Sequence, residues 1–378
     1  MNQSDRMEQN RRPFFKNLDA LRFFAFLGVF IQHTLPSPSG NPSVILSSEV
    51  WKLIFSFNYL GVPFFFTLSS FLITYRLLNE QRSTEKVNLM MFYVRRGLRI
   101  WPIYFLVLAI CFLILPIMSH QFGMSAPTLP SPWSFLFFFA NFYMITHGVG
   151  FLFALIPLWS ISIEEQFYVI WGLMLKVFHQ YIYKVIILCF LVSVSFCFYY
   201  MHSLLQSRTD LKLHTMYAVL DFCSGALIAV AGFRKDALFR FLRKLPRIFY
   251  PIVYISIIIF YVLETSAVIN ADLIISGIFY SICFALILFD QAFNERRIFN
   301  AGKLEVFNYL GKISYGLYIY HELSLTMTMK AFHFFSIGSK YNTLLWQSGI
   351  TLLITIIIAQ LSYHYFEKYF LRLKNNWR

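Results

Sequence analysis

Arg22 and His33 stand eleven residues apart on one apolar segment, in the run Leu18-Asp19-Ala20-Leu21-Arg22 through Ile31-Gln32-His33. At about 100° per residue an α-helix returns almost to its starting azimuth after eleven steps, and at about 1.5 Å per residue it climbs roughly 16 Å. One helical face therefore carries a guanidinium near one end and an imidazole towards the other. A guanidinium holds anions; an imidazole takes a proton from a hydroxyl near neutral pH. Each has a plainer alternative. Arg22 can reach lipid headgroups or pair with Asp19 one turn back, and His33 can be a histidine satisfied inside a packed core. Asp19, Arg22, Phe26, Val29 and His33 share one stripe, which should face other helices rather than lipid.

Further along, Arg95, Arg96 and Arg99 precede Trp101-Pro102 ahead of a third apolar span, where Pro102 suits a first helical turn. Cations at a helix N-terminus oppose the macrodipole and call for a balancing anion, either lipid phosphate or a nucleotide-like cofactor with several phosphates. In Leu158-Trp159-Ser160-Ile161-Ser162-Ile163-Glu164-Glu165-Gln166-Phe167-Tyr168, two adjacent carboxylates stand where an apolar span begins. Glu164 and Glu165 either cap that helix or orient an imidazole or hydroxyl, at a depth close to that of His33. Ser314, Tyr318 and His321 fall at i, i+4 and i+7 of another span, with Glu322 beside His321. Such a stripe serves interhelical hydrogen bonding or a reacting group. His120, His147, His179, His202, His214, His333 and His364 lie near segment ends or in loops and receive no role. Cys111, Cys189, Cys197, Cys223 and Cys283 fall in apolar runs without metal-ligand spacing, and no metal is expected.

The elements that position these groups must be helices in lipid. The 378 residues are 58% hydrophobic, 20% aromatic and 13% charged, with mean hydropathy +0.60, whereas a soluble domain carries roughly 25% charged residues. The expected fold class is all-α, a polytopic membrane helical bundle. Its spans lie near 18–37, 54–77, 100–118, 151–175, 185–203, 215–232, 248–264, 272–290, 307–329 and 343–366, about ten in all. The net charge of +14 sits in short segments between apolar runs, the pattern that orients membrane helices, so no nucleic-acid partner is expected. Arg6, Arg11, Arg12 and Lys16, with the basic loops at 76–99, 176–184, 234–247, 296–303 and 368–378, place both termini in the cytoplasm. The short apolar stretch Trp133 to Thr146 is read as an interfacial or re-entrant piece, because counting it as a span would put the Arg234–Arg247 cluster outside. Asp19, Arg22 and His33 interrupt the first apolar stretch, and Ser37-Pro38-Ser39 offers no small-x-small cleavage site, so that stretch should persist as a helix. The expected organisation is a cytoplasmic segment 1–17, a transmembrane domain 18–366 and a cytoplasmic tail 367–378.

Taken together, these stretches resemble acyltransferase family 3, integral-membrane acyltransferases that modify sugars and other hydroxyl acceptors with acyl-coenzyme A. The resemblance runs through Leu18 to His33, Gly61-Val62-Pro63-Phe64-Phe65-Phe66-Thr67-Leu68-Ser69-Ser70-Phe71-Leu72-Ile73, Arg95 to Tyr104, Trp159 to Tyr168 and Ile313 to His321, in that order. Two departures stand out. Ser70 occupies a position where the family usually has glycine after Ser69, and Ser362 to Tyr369 looks like the family's closing motif with Tyr369 in place of proline and Glu367 as its acid. The likeness is to members without the extracytoplasmic hydrolase-like domain that larger ones append, so such an activity is expected in a separate protein.

The resemblance implies a bacterial cytoplasmic-membrane O-acyltransferase with acyl-coenzyme A, foremost acetyl-coenzyme A, as donor. A cell-surface glycan or lipid-linked saccharide is the acceptor, and membrane lipid the surroundings. Donor phosphates would be held by Arg95, Arg96 or Arg99 together with Arg22. His33 would act as general base on the acceptor hydroxyl, with Glu164 or Glu165 orienting it or the acceptor; an acyl-histidine relay is equally open. Asp19, Ser69, Trp159, Tyr168, Ser314, Tyr318 and His321 complete the site as substrate-binding residues. The rival class is a transporter or flippase of a lipid-linked saccharide, which should show paired halves with matching interrupted helices. No such symmetry relates the first and last five spans.

Overall fold

A computed structural model describes residues 15–34, 60–121, 127–203, 208–265, 268–269, 271–335 and 341–373. Among them the regular structure is helical, and each of the ten expected spans falls on a long helix. These are α1 (Lys16–Thr34), α2 (Gly61–Thr84), α3 (Leu89–Ala109), α4 (Leu158–Phe178), α5 (Ile182–Ser203), α6 (Thr215–Arg234), α7 (Phe249–Thr265), α8 (Leu273–Phe293), α9 (Ser314–Phe334) and α10 (Tyr341–Ser362). By length and apolarity alone, six stretches of the described residues can cross a membrane, or seven if the bent pair Ala237–Lys244 and Phe249–Glu264 is one span. One of the six, Phe153–His202, contains both α4 and α5. The chain is an all-α integral membrane protein.

Several helices start or stop elsewhere than apolarity alone suggests, α4 at Leu158 and α9 at Ser314 among them. Asn88 accepts a hydrogen bond from the Met91 backbone N–H at 3.1 Å and starts α3 at Leu89, a dozen residues before Trp101. Pro102 is therefore interior to α3 rather than in its first turn, and Arg95, Arg96 and Arg99 project from its second and third turns. The macrodipole has faded that far in, so what must balance these cations is neighbouring side chains and ligands. Likewise α2 runs on to Thr84, carrying Arg76, Glu80 and Arg82 beyond the apolar stretch. The part of the expected span at 54–59 lies outside the described residues, as do Arg6, Arg11 and Arg12.

Trp133 to Thr146 forms two short helices, Pro132–Leu136 and Ala140–His147. They break at Phe138, whose φ is +59°, and its carbonyl is taken by Gln166 Nε2 of α4 at 2.7 Å. An eight-residue helix rises only about 12 Å, too little to cross hydrocarbon of roughly 30 Å, so the stretch does not span.

Close helix contacts set the frame of the site. A Cβ on Gly225 of α6 would overlap the Thr67 backbone of α2, and a Cβ on Gly311 in the helix Glu305–Lys312 would overlap the Asp19 backbone of α1. Small residues at such crossings let backbones approach where lipid provides no hydrophobic drive to associate. Ser70 is buried in the first of these crossings and donates to the Phe222 carbonyl at 2.5 Å. The larger residue at that position is accommodated by a hydrogen bond, with the glycine on the facing helix. Outward faces of α4, α5, α7 and α10 expose Ile170, Leu188, Ile255 and Leu353, among others, as lipid contact requires.

Candidate active site

α1, α2, α3, α4, α6 and α9 line a cavity of about 1780 Å³. One end is polar and basic, bounded by Arg82, Lys86, Asn88 and Lys235; the other is bounded by Val62, Phe65, Ser160 and Tyr318. Since Val62 and Arg82 lie near opposite ends of α2, the cavity follows that helix for most of its length. Arg22, Arg95, Arg96 and Arg99 all line it, as do Ser69, Glu164, Tyr168 and Ser314.

The four arginines are not equivalent. Arg95 is buried, and its guanidinium lies 2.5 Å from Glu80 Oε2, a pairing across the α2–α3 turn that fixes the cavity mouth. Arg22 is held by Asp19 at 2.8 Å, as one-turn spacing allows. Arg96 donates to the Tyr168 hydroxyl at 2.6 Å, and its guanidinium carbon lies 4.2 Å from that ring's centroid. Tyr168 in turn donates to Glu164 Oε2 at 2.5 Å and has the Ser69 hydroxyl 2.6 Å away. This network of Ser69, Arg96, Glu164 and Tyr168 locks α2, α3 and α4 around the middle of the cavity. Arg99 has no hydrogen bond or ion pair among the described residues and lies within electrostatic range of Arg22 and Arg96. The guanidinium groups of Arg22, Arg96 and Arg99 lie close together with the carboxylates of Asp19, Glu164 and Glu367 in electrostatic range, so it is the unbonded donors of Arg99 facing the cavity that are left for an anion.

The imidazole end has a different carboxylate from the one expected. His33 Nδ1 pairs with Glu322 Oε1 of α9, and the His33 side chain is 23% exposed while Glu322 is 2% exposed. A neutral imidazole donates to a carboxylate, so the pairing puts the His33 proton on Nδ1 and leaves Nε2 with its lone pair. His321 stands perpendicular to His33 with ring centroids 5.2 Å apart. Its Nδ1 donates to the Tyr318 carbonyl at 2.5 Å. Tyr318 lies between His321 and the cavity: its ring centroid is 5.7 Å from that of His321, and its hydroxyl is 2.6 Å from Ser160 Oγ. His33 does not line the cavity; Tyr318 and His321 stand between them.

Glu164 and Glu165 therefore do not orient His33. Helix α4 begins at Leu158, and its third residue, Ser160, is the one level with Tyr318. Glu164 lies one turn deeper, among the arginines, and Glu165 accepts from Trp101 Nε1 at 3.1 Å. Trp159 packs edge-on against Phe66 and is not part of the cavity wall. Of the residues singled out in the sequence, the structure joins Arg22, Arg95, Arg96, Arg99, Ser69, Glu164, Tyr168, Ser314 and Tyr318 around one cavity. It joins His33 and His321 to each other behind Tyr318, outside the cavity lining, and sets Asp19 behind Arg22. Sequence reading passed over Glu322 as a partner for His33 because it stands off the Ser314, Tyr318, His321 stripe. The available signal was a carboxylate in mid-span, where lipid tolerates charge only when it is paired. Glu80 of α2, Tyr315, whose hydroxyl donates to the Ile100 carbonyl at 2.9 Å, and Glu367, buried beside Ser362 and within electrostatic range of Arg99, also belong to this region.

The O-acetyltransferase OatA of Staphylococcus aureus (strain NCTC 8325 / PS 47) is 27% identical over an alignment covering 96% of this chain and 58% of the relative. The peptidoglycan O-acetyltransferase OatA of Listeria monocytogenes serovar 1/2a is 25% identical, covering 94% and 56%. The chain thus spans a little over half the length of the curated relatives it matches. No solved structure matches significantly. The acyltransferase domain family matches residues 15–364, from the start of α1 through the end of α10, and this chain belongs to that family, acyltransferase family 3.

Proposed function

We propose that the chain is an O-acetyltransferase of the bacterial cytoplasmic membrane, with both termini in the cytoplasm, moving acetyl groups from acetyl-coenzyme A to hydroxyls of a cell-envelope glycan. The observation that carries the reading is the cavity itself. It is basic at the end that the charge pattern assigns to the cytoplasm, and its far end is closed by Tyr318, which packs on His321, itself against a histidine held by a buried carboxylate. The donor's phosphates meet Arg99 and Arg96, with Arg22 beside them, and the pantetheine arm follows α2 towards Val62. The thioester passes Tyr318, whose ring is latched to Ser160, when that ring turns aside.

At the far end, Nε2 of His33 accepts the proton of the acceptor hydroxyl while its oxygen attacks the thioester carbonyl; the C–S bond breaks and the coenzyme leaves as a thiol after taking up a proton. Glu322 holds the imidazole in the required tautomer and stabilises the imidazolium as it forms. Membrane passage of the acetyl group then needs no free intermediate, because donor and acceptor reach one imidazole from opposite sides. The relatives' names point to peptidoglycan as the first acceptor to test.

Inverted membrane vesicles supplied with acetyl-coenzyme A labelled in the acetyl group test the reading. Base-labile label should appear in lumenal glycan or a muropeptide acceptor in vesicles containing the chain, and not in those lacking it. Absence of labelled product with every candidate glycan would overturn the assignment.

A further inference from the structure

Behind Tyr318, beyond the far end of the cavity, stands a set of ligand atoms that proton transfer alone does not explain. His321 is fully buried, and its Nδ1 faces the Tyr318 carbonyl, which can only accept, so the ring proton is on Nδ1. Its Nε2 lone pair is buried without a hydrogen-bond partner, 3.9 Å from Glu322 Oε1. Two acceptors thus face each other with no donor between them. The third group, His33, contacts the same carboxylate, and one donor atom from each of His33, His321 and Glu322 lies within 4.8 Å of the other two. A buried lone pair aimed at a carboxylate is unfavourable unless something positive lies between.

We propose that His33, His321 and Glu322 form a binding site for a zinc-class divalent cation, and that its occupancy switches transfer off. Two imidazoles and one carboxylate are a three-ligand set that zinc accepts, with a fourth position left for water. They discriminate against magnesium and calcium, which take oxygen ligands. The hydrogen bond from His321 Nδ1 to a backbone carbonyl is the kind of outer contact that fixes a metal-binding imidazole with its other nitrogen forward. Access is from the side where His33 is 23% exposed.

The consequence for His33 follows from imidazole chemistry. A neutral ring carries one proton. A cation that binds Nδ1 in place of the hydrogen bond to Glu322 obliges that proton to sit on Nε2, and Nε2 can then no longer accept one. No bond to the protein other than metal coordination is made, and the proton moves within the ring. The binding part of the proposal stands on geometry alone; the loss of transfer rests on the function proposed above.

The full chain, purified in detergent and stripped with a chelator, is titrated with zinc against a chromophoric indicator. Wild type should take up one equivalent, unaffected by excess magnesium. His321→Ala and Glu322→Gln should each weaken uptake at least tenfold, while the exposed-histidine variants His333→Ala and His364→Ala keep it. Gel filtration establishes that each variant remains folded. Equal uptake by wild type and His321→Ala, or none by wild type, overturns the site. Acetyl transfer is then measured with and without zinc: loss reversed by chelator is expected, and undiminished transfer by the zinc-loaded protein overturns the withdrawal of His33. A wild-type chain that binds zinc yet transfers no acetyl under any condition would refute the proposed function and leave the binding result intact.

Discussion

At the scale of single residues, His33 and Arg99 divide the work. Arg99 lines the cavity and makes no hydrogen bond or ion pair among the described residues, so its removal should cost donor affinity. Arg99→Ala is expected to raise KM for acetyl-coenzyme A by about 10- to 100-fold, the worth of one charge-assisted contact, with kcat changed much less; an unchanged KM would contradict the assignment. Arg95 is already committed to Glu80, and Arg95→Ala should instead lower thermal stability. Glu322→Gln keeps the shape of the His33 partner and removes its charge, so kcat should fall about 100-fold or more with KM for the donor nearly constant. Much of this was legible beforehand: the spacing of Arg22 and His33 and the arginines of α3 pointed to a cationic donor end and an imidazole. The partner of His33 was not, because contacts between α1 and α9 join residues 289 positions apart in the chain and no helical periodicity encodes them. Adjacent carboxylates at 164 and 165 were the more visible candidates, yet only packing reveals that they face Tyr168 and Trp101.

At the scale of elements, the positions of helix ends decide which side chains share a level. Apolarity located all ten long helices but misjudged the ends of α2, α3, α4 and α9 by several residues, in α2 and α3 because polar residues of a membrane helix that line a cavity look like the end of a span. The cap at Asn88 was the missed signal for α3. The frame depends on close crossings: Gly225→Val would force its side chain into the Thr67 backbone, and overpacking of this kind costs about 1–3 kcal/mol. A lower unfolding midpoint in detergent is expected, and an unchanged one would show that α2 and α6 do not cross as described. Tyr318 is the element of α9 that separates the cavity from His33. Tyr318→Trp should lower kcat while leaving binding of acetyl-coenzyme A, measured by equilibrium dialysis, near that of wild type; parallel loss of both would place this ring in donor binding instead of on the path to His33.

At the scale of the whole molecule, composition declared a membrane bundle, and the charge pattern along the sequence predicts that the basic loops share one side of the membrane. In a background lacking Cys111, Cys189, Cys197, Cys223 and Cys283, a membrane-impermeant maleimide applied to intact cells should label Ser131→Cys and spare Glu295→Cys; the reverse pattern would invert the direction in which the donor enters. The account turns on an imidazole behind Tyr318, beyond the end of a cavity whose other end is basic. The measurement that bears on it most directly is acetyl transfer from labelled acetyl-coenzyme A by the purified chain in proteoliposomes, wild type against His33→Ala, with gel filtration and donor binding recorded for both. A folded His33→Ala protein that still binds donor and transfers no acetyl is the predicted result. Transfer by that variant at a rate near wild type would contradict the account.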